Sequence, residues 1–362
     1  MKVLFLGDYS GLHWTLAQGL RSLGHEAFVS ASGDGFKAMR FDKRLCIEGG
    51  GPWRSLRRKW MTFSSLPEYS GYDVVQLINP FVFGKKGYNR WYVKQLKKRN
   101  GKVVLTAAGD DPIVAARALS GGMRYSFFHA ALACDFPSRE YKDISRMLNQ
   151  NYILENLRIL DQVDAVIPFA YEYTLGYSAY AKCTAVLPYP LDPAVTKPLL
   201  ESSPDAPLRI LHGMSRSVFK GSQIIAQGMR LAKKSHGDAI AITIADRMPY
   251  DEYVKALDQA DVLMDQCNSY SYAMNALIGM GMHKIVGSGA EPECLKAFGV
   301  FPGECPILNI RPDPNQIAEA ISKLIGKRSQ VISAQKESYA YALRHHKLSI
   351  IARRHLKLLE SL

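Results

Sequence analysis

The chain has no apolar run approaching the roughly 18–20 residues that a membrane span requires. Its opening, MKVLFLGDYSG, is too briefly apolar for a leader because Asp8 interrupts it. The expected location is therefore the cytoplasm. Cysteine is sparse: six residues, at positions 46, 134, 183, 267, 294 and 305, with no CxxC pair. That argues against a zinc ribbon or a thioredoxin-like motif and fits reduced thiols. Nine histidines include His345-His346 but no HExxH spacing, so neither a metal nor another cofactor is expected. The first glycine loop is not GxGxxG, so a dinucleotide site is poorly supported. Acid is the scarcer charge, with 33 Asp/Glu against 46 Lys/Arg and a net charge of +13. The excess is uneven. Fourteen Lys/Arg against three acids lie between Lys43 and Lys102, interleaved with Trp53, Trp60, Tyr88, Trp91 and Tyr92. Nucleic acid, an anionic membrane surface, a phosphate-bearing substrate or a merely solvated basic face would each account for this.

What is present is alternation. KVLFLG reads as a buried strand, GDYSG as a turn, and Leu16, Leu20 and Leu23 recur at helical spacing before Gly24. Strands follow at EAFVSAS, DVVQLI, KVVLTAAG and DAVIPF. The proline-rich passage LPYPLDPAVTKPLLESSPDAP then interrupts the pattern. The alternation restarts with LRILHG, AIAITIA, DVLMDQ, HKIVGSG and PILNI. Strands alternating with helices imply parallel sheets with right-handed crossovers. The expected architecture is α/β, with two Rossmann-like parallel-sheet domains facing a cleft. Residues 1–190 form the first domain, 191–207 a linker and 208–340 the second. Residues 341–362 form a basic terminal helix expected to pack back on the first domain.

Taken together, these segments resemble the GT-B glycosyltransferases of family 4 (glycosyl transferases group 1). GDYSG…LAQGLRSLGHEAFV resembles that family's opening, and KVVLTAAGDD its strand ending in His-Gly-Ser-Asp. DAVIPFAYEY resembles the strand before a Ser/Thr-x-Glu, and LPYPLD the entry to the second domain. HGMSRSVFKG resembles the loop carrying an Arg and a Lys-Gly pair. ADVLMDQCNSYSYAMNALIGMGMHKIVGSGAEPE resembles a degenerate donor-site stretch. The resemblance implies a UDP- or GDP-linked sugar held mainly by the second domain and a glycan or lipid-linked acceptor held mainly by the first. It implies transfer with retention, no obligatory metal, and no nucleic-acid partner. The acceptor class makes peripheral attachment to an anionic membrane an expectation. GKKGYNRWYVKQLKKRNGK supplies the cations, with Trp91, Val93 and Leu96 opposite Lys94, Lys97 and Lys98, a pattern that equally suits ordinary packing.

The chemistry turns on Arg216 and Lys220. A leaving nucleoside diphosphate gains negative charge, and preorganised cations stabilise it most in the transition state. Arg grips phosphate in a bidentate manner, while Lys is a point charge. With these, Asp110 completes the expected catalytic set. Asp111, before Pro112, reads either as a helix cap or as an acceptor contact. The family's histidine falls on Ala108 here, which leaves His13 and His129 as acceptor-side candidates; the alternative for His13 is that it simply begins the first helix, and for His129 that it belongs to the core or a loop. The two glutamates spaced E-x7-E fall on Asn268 and Ala276, or, shifted by one, on Cys267 and Asn275. Amides hydrogen-bond sugar hydroxyls but bring no charge to an oxocarbenium-like centre. Tyr270 and Tyr272 read as base-stacking or as core. Gly11, Gly289 and Glu293 complete the donor-side candidates. The missing glutamates keep open a catalytically silent relative that binds a nucleotide sugar or a partner.

Overall fold

Val3, Leu4, Phe5 and Leu6 are fully buried. A strand covered on both faces must be apolar at every position, which is why KVLFL shows no alternation. It is β1 (Lys2–Leu6) of a computed structural model describing residues 1–362 except 35–38, 46–52, 54–55, 57–59, 62, 84–87, 134–138, 201–202, 247 and 302. Cys46, Cys134 and the cations Arg54, Arg57, Arg58, Lys59, Lys85 and Lys86 lie outside the described residues.

The first sheet comprises β1, β2 (Glu26–Ala31), β3 (Lys43–Arg44), β4 (Val74–Leu77), β5 (Lys102–Ala107) and β6 (Ala165–Pro168). Its order is β3-β2-β1-β4-β5-β6 and every pairing is parallel. The second comprises β7 (Leu208–Gly213), β8 (Ile240–Ala245), β9 (Val262–Met264), β10 (Ile285–Ser288) and β11 (Leu308–Asn309). Its order is β11-β10-β9-β7-β8, again all parallel. The two expected Rossmann-like domains are therefore present. Strand order reverses between β1 and β4 in one sheet and between β7 and β9 in the other. In such sheets a crevice opens beyond the carboxyl ends at the reversal.

The domains are tied at the back. Leu191 N donates to His346 O at 2.7 Å, and the His346 ring donates to Tyr189 O at 2.7 Å. The terminal segment breaks at Lys347. Helix Val331–His346 packs on the second domain, and helix Leu348–Glu360 crosses to the first. There a Cβ on Gly19 would lie 2.7 Å from that of Ala352, so glycine permits the close approach. His355, on this last helix, reaches beneath the first sheet. Its Nε2–H donates to Gln76 Oε1 (2.8 Å), the Gln76 amide donates to Thr106 Oγ1 (2.7 Å), and that hydroxyl meets His13 Nε2 (2.9 Å). All four side chains are buried.

Candidate functional site

A cleft of about 550 Å³ lies between the domains, walled by the loops after β1, β5, β7 and β9. Arg216 and Lys220 both line it. Arg216 precedes and Lys220 closes the four-residue helix Ser217–Lys220, which starts four residues after β7 ends. The Arg216 guanidinium lies 3.5 Å from the Phe219 ring centroid, a cation–π contact that fixes its direction. Lys220 is nearly buried. Its Nζ lies 3.0 Å from Asp265 Oδ1, and Asp265, at the end of β9, is 1% exposed. Asn275 Nδ2 donates to the same oxygen at 2.7 Å, and Tyr253 Oη donates to Asn275 Oδ1 at 2.9 Å. Lys220, Asp265, Asn275 and Tyr253 thus form one chain of partners at the second sheet's reversal point. An ammonium has three donors, so Lys220 can keep Asp265 and still meet a phosphate.

Both cations are already matched by carboxylates. Arg216 Nη2 lies 2.6 Å from Asp110 Oδ1, across the cleft, while Arg146 Nη2 holds Asp110 Oδ2 at 3.2 Å. Glu140, also from the first domain, accepts Ser217 N (2.8 Å), Ser217 Oγ (3.1 Å) and Val218 N (2.9 Å). Glu172 accepts Tyr270 N (2.5 Å), Ser271 N (2.9 Å) and Ser271 Oγ (2.7 Å), and also the Ser269 hydroxyl. Three first-domain acids therefore clamp the loops where an anionic ligand would compete.

The remaining expected residues divide. Asn268 and Asn275 line the cleft, whereas their alternatives Ala276 and Cys267 are fully buried off it. Burial pushes the Cys267 thiol up to about 12. Each register of the E-x7-E pair therefore puts one amide in the cleft and its other member off it. Ala108 also lines the cleft. Gly11, with φ +78°, starts the first helix between the cleft-lining Ser10 and Leu12.

Several expectations require correction. His13 does not face the cleft. It is buried, its Nδ1–H donates to Gly7 O at 2.7 Å, and burial depresses its pKa to about 3. It props the first loop from below. Asp8 caps the same helix through His13 N at 2.9 Å, and burial raises its carboxyl to about 7. His129 bonds Ser126 at 2.8 Å and is not part of the cleft lining. Asp111 borders the cleft, but its oxygens are engaged: Oδ1 caps Ile113 N (2.8 Å), and Oδ2 accepts from Tyr177 (2.7 Å). The cap reading holds. Tyr272 is fully buried, with its hydroxyl on Tyr341 (2.7 Å) and His346 (2.8 Å), so its ring has no free face for a base. Tyr270 lies off the cleft, its ring 4.7 Å from the Arg124 guanidinium. Glu293 pairs with Arg124 at 2.6 Å, and both line, with Tyr270, a second depression separate from the cleft. Gly289 is needed for backbone proximity: a Cβ there would collide with the Ser269 carbonyl. It shapes the 268–271 loop rather than facing a ligand.

Asp265, Glu140, Glu172 and Arg146 were absent from the expected set. An acid closing the apolar run Val262–Met264 was the one available signal, for Asp265. The others meet the cleft only through distant sequence.

No protein-family model matches the chain, and no curated protein matches it by sequence. Solved structures do. Sucrose-phosphate synthase from Thermosynechococcus elongatus superposes with a TM-score of 0.61 at 15% identity, covering 100% of this chain and 99% of that one. HepE of Anabaena, in complex with UDP and glucose, gives 0.61 at 12% identity with full coverage of both. UDP-GlcNAc 2-epimerase from Neisseria meningitidis, bound to UDP-GlcNAc, gives 0.55 at 9% identity, again covering both chains completely. At these identities the likeness establishes the architecture: two Rossmann-like domains facing a cleft, the GT-B fold.

Proposed function

We propose that the protein is a family 4 GT-B glycosyltransferase, moving a sugar from a UDP- or GDP-linked donor to a glycan or lipid-linked acceptor with retention of configuration, in surface polysaccharide or glycoconjugate synthesis. The supporting observation is the convergence of Arg216, Lys220, Asn268 and Asn275 on one interdomain cleft at the second sheet's reversal point. The nucleotides held by HepE and by the epimerase favour the same ligand class.

In this reading the diphosphate displaces Asp110 from Arg216 and takes the guanidinium in a bidentate grip. Lys220, held by Asp265, adds its charge to the departing phosphate as the glycosidic bond breaks. Asn268 and Asn275 position hydroxyls of the donor. Same-face transfer, in which the leaving phosphate takes the acceptor proton, needs positioning and charge more than a dedicated base. Asp110, freed from Arg216 but still held by Arg146, stands at the first-domain wall beside the acceptor. No metal or other cofactor enters this reading.

A second reading has a specific observation behind it. Asn268 and Asn275 carry no charge, and both cleft cations are satisfied by carboxylates, an arrangement that suits a catalytically silent nucleotide-sugar-binding or partner subunit. Calorimetry with UDP, GDP and their sugars, followed by turnover of the binder on an acceptor panel, decides. Transfer abolished by Arg216→Ala and by Lys220→Ala supports the enzyme. Tight binding without transfer or hydrolysis supports the silent subunit. Turnover unchanged in both variants refutes the site.

A further inference from the structure

The outermost strands of a sheet present backbone groups without partners, and natural proteins blunt such edges by shortening, charging or covering them. Three of the four edges here are treated in this way. β3 is two residues long and both are basic, and β11 is also two residues long. β6 ends in Pro168 and is covered by a later segment: Val166 N donates to Lys182 O, and Thr184 N to Val166 O, each at 2.9 Å. The fourth edge, β8, has none of these devices. It is six residues long, IAITIA, with no charge and no proline, and it pairs with β7 in unbroken register from Ile240 to Ala245.

The open side of β8 follows from its hydrogen bonds. Ala245 O accepts Met214 N at 2.8 Å, so Ala245 turns its backbone groups toward β7. In a parallel ladder both groups of one residue point the same way, and successive residues alternate. Ala241 and Thr243 therefore also face β7, while Ile240, Ile242 and Ile244 face outward. Lys233 Nζ caps the Ile240 carbonyl at 2.8 Å. The N–H and C=O of Ile242 and Ile244 have no partner among the described residues. On one face Ile240 and Ile242 pack with Ile225, Met229 and Ala232 of helix Ser222–His236. On the other face Ala241 and Thr243 are exposed.

We propose that β8 pairs antiparallel with β8 of a second copy of this chain, about a two-fold axis through Thr243, joining the two five-stranded sheets into one. In that register the strand is its own complement. Ile242 of each copy lies opposite Ile244 of the other, and each such pair exchanges both backbone hydrogen bonds, so all four open groups of each copy are satisfied. Thr243 meets its own counterpart in the closer, non-hydrogen-bonded kind of pair, where Thr–Thr contacts are favourable. The strand carries no charge to oppose its copy. An unrelated extended segment would need a matching neutral sequence, which a second copy brings by symmetry. Two short strands bury little area, so the association is weak and reversible. The inference stands on the second sheet and is independent of the reaction assigned to the cleft.

Sedimentation velocity of the full chain over about 1–200 μM should show a reversible monomer–dimer equilibrium. Thr243→Lys and Thr243→Glu each set like charges opposite one another at the axis, and each alone should weaken the dimer by about tenfold or more. Mixed in equal amounts, the two variants should form a dimer at least as tight as the parent's, because a lysine then opposes a glutamate. Thr243→Cys should cross-link under mild oxidation where the parent does not, since the Cα atoms of such a pair lie about 4.5 Å apart. Thr243 is exposed and off the cleft, so at low concentration every variant should keep the parent's melting temperature and any nucleotide-induced thermal shift. The proposal is overturned by a parent that stays monomeric throughout the range, by a dimer that neither charged variant weakens, or by a mixture no tighter than the variants alone. It is equally overturned if β8 of a monomeric chain captures an extended peptide in place of a second copy.

Discussion

Replacing Lys220 by methionine removes the charge and keeps most of the stem. The consequence for stability follows from the partner. Asp265 is 1% exposed and loses the one cation that pairs with it among the described residues. Removing one member of a buried pair costs roughly 3–5 kcal/mol. Asp265 keeps the Asn275 amide at 2.7 Å and Ser288 Oγ at 3.4 Å, which places the expected loss near the lower end, about 3 kcal/mol. For a domain of this size that is roughly 6–12 °C in melting temperature. Adding Asp265→Asn removes the stranded charge, so Lys220→Met/Asp265→Asn should recover to within about 1 kcal/mol of the parent. Binding behaves differently. The double variant still lacks the ammonium, so its affinity for a nucleoside diphosphate should fall at least about tenfold, the weight of one charge-assisted hydrogen bond. Differential scanning calorimetry reads the first effect and titration calorimetry the second. A double variant that regains stability and also binds the diphosphate as the parent does would show that Lys220 serves only as a strut. A single variant as stable as the parent would show that the Asp265 pair carries no stability.

Glu140→Ala removes a carboxylate that an incoming anion must displace from Ser217 and Val218; diphosphate affinity should rise by roughly three- to tenfold, and unchanged affinity would show that Glu140 does not compete. Small-angle scattering should show Glu172→Ala shifted toward an open domain arrangement, since the 269–271 loop loses its shared acceptor. Stability should fall steeply on acidification: His13 and His355 are held near 3, and His212 and His346 near 4, all because burial disfavours the imidazolium. Each binds a proton in the unfolded chain below about pH 6.5 and not in the folded one, whereas Asp8, raised to about 7, opposes them by one proton. The net slope near pH 5 is about 4 kcal/mol per pH unit, read from denaturant midpoints; a flat profile between pH 6.5 and 4 would contradict the burial of these rings. Gly289→Ala should destabilise the second domain and weaken diphosphate binding together, because the added methyl displaces the Ser269 backbone; a crystal structure with that loop unmoved would refute this.

Much of the fold was written locally. Val3–Leu6 and Val262–Met264 are short apolar runs bounded by turn residues, and such runs declare buried parallel strands wherever they sit. Only β3, two residues long, left no pattern to read. The HGMSRSVFKG loop likewise announced its two cations, because a strand, a short helix and a glycine fix their place within ten residues. What those cations face was not local. Asp110 and Glu140 reach Arg216 and Ser217 across a gap in sequence of 106 and 77 residues, and Glu172 reaches the 269–271 loop across about the same distance. Such contacts depend on how two domains sit on their hinge, which no spacing encodes. Burial was equally decided by the tertiary structure: a histidine at a helix start reads as a cleft ligand until Thr106 and Gly7 are seen to enclose it. The sequence determined which chemistry the chain carries, because strand patterning and residue type are properties of short segments. The packing of the two domains decided which of that chemistry is exposed and which is already partnered, because solvent access and ion pairing belong to the assembled chain.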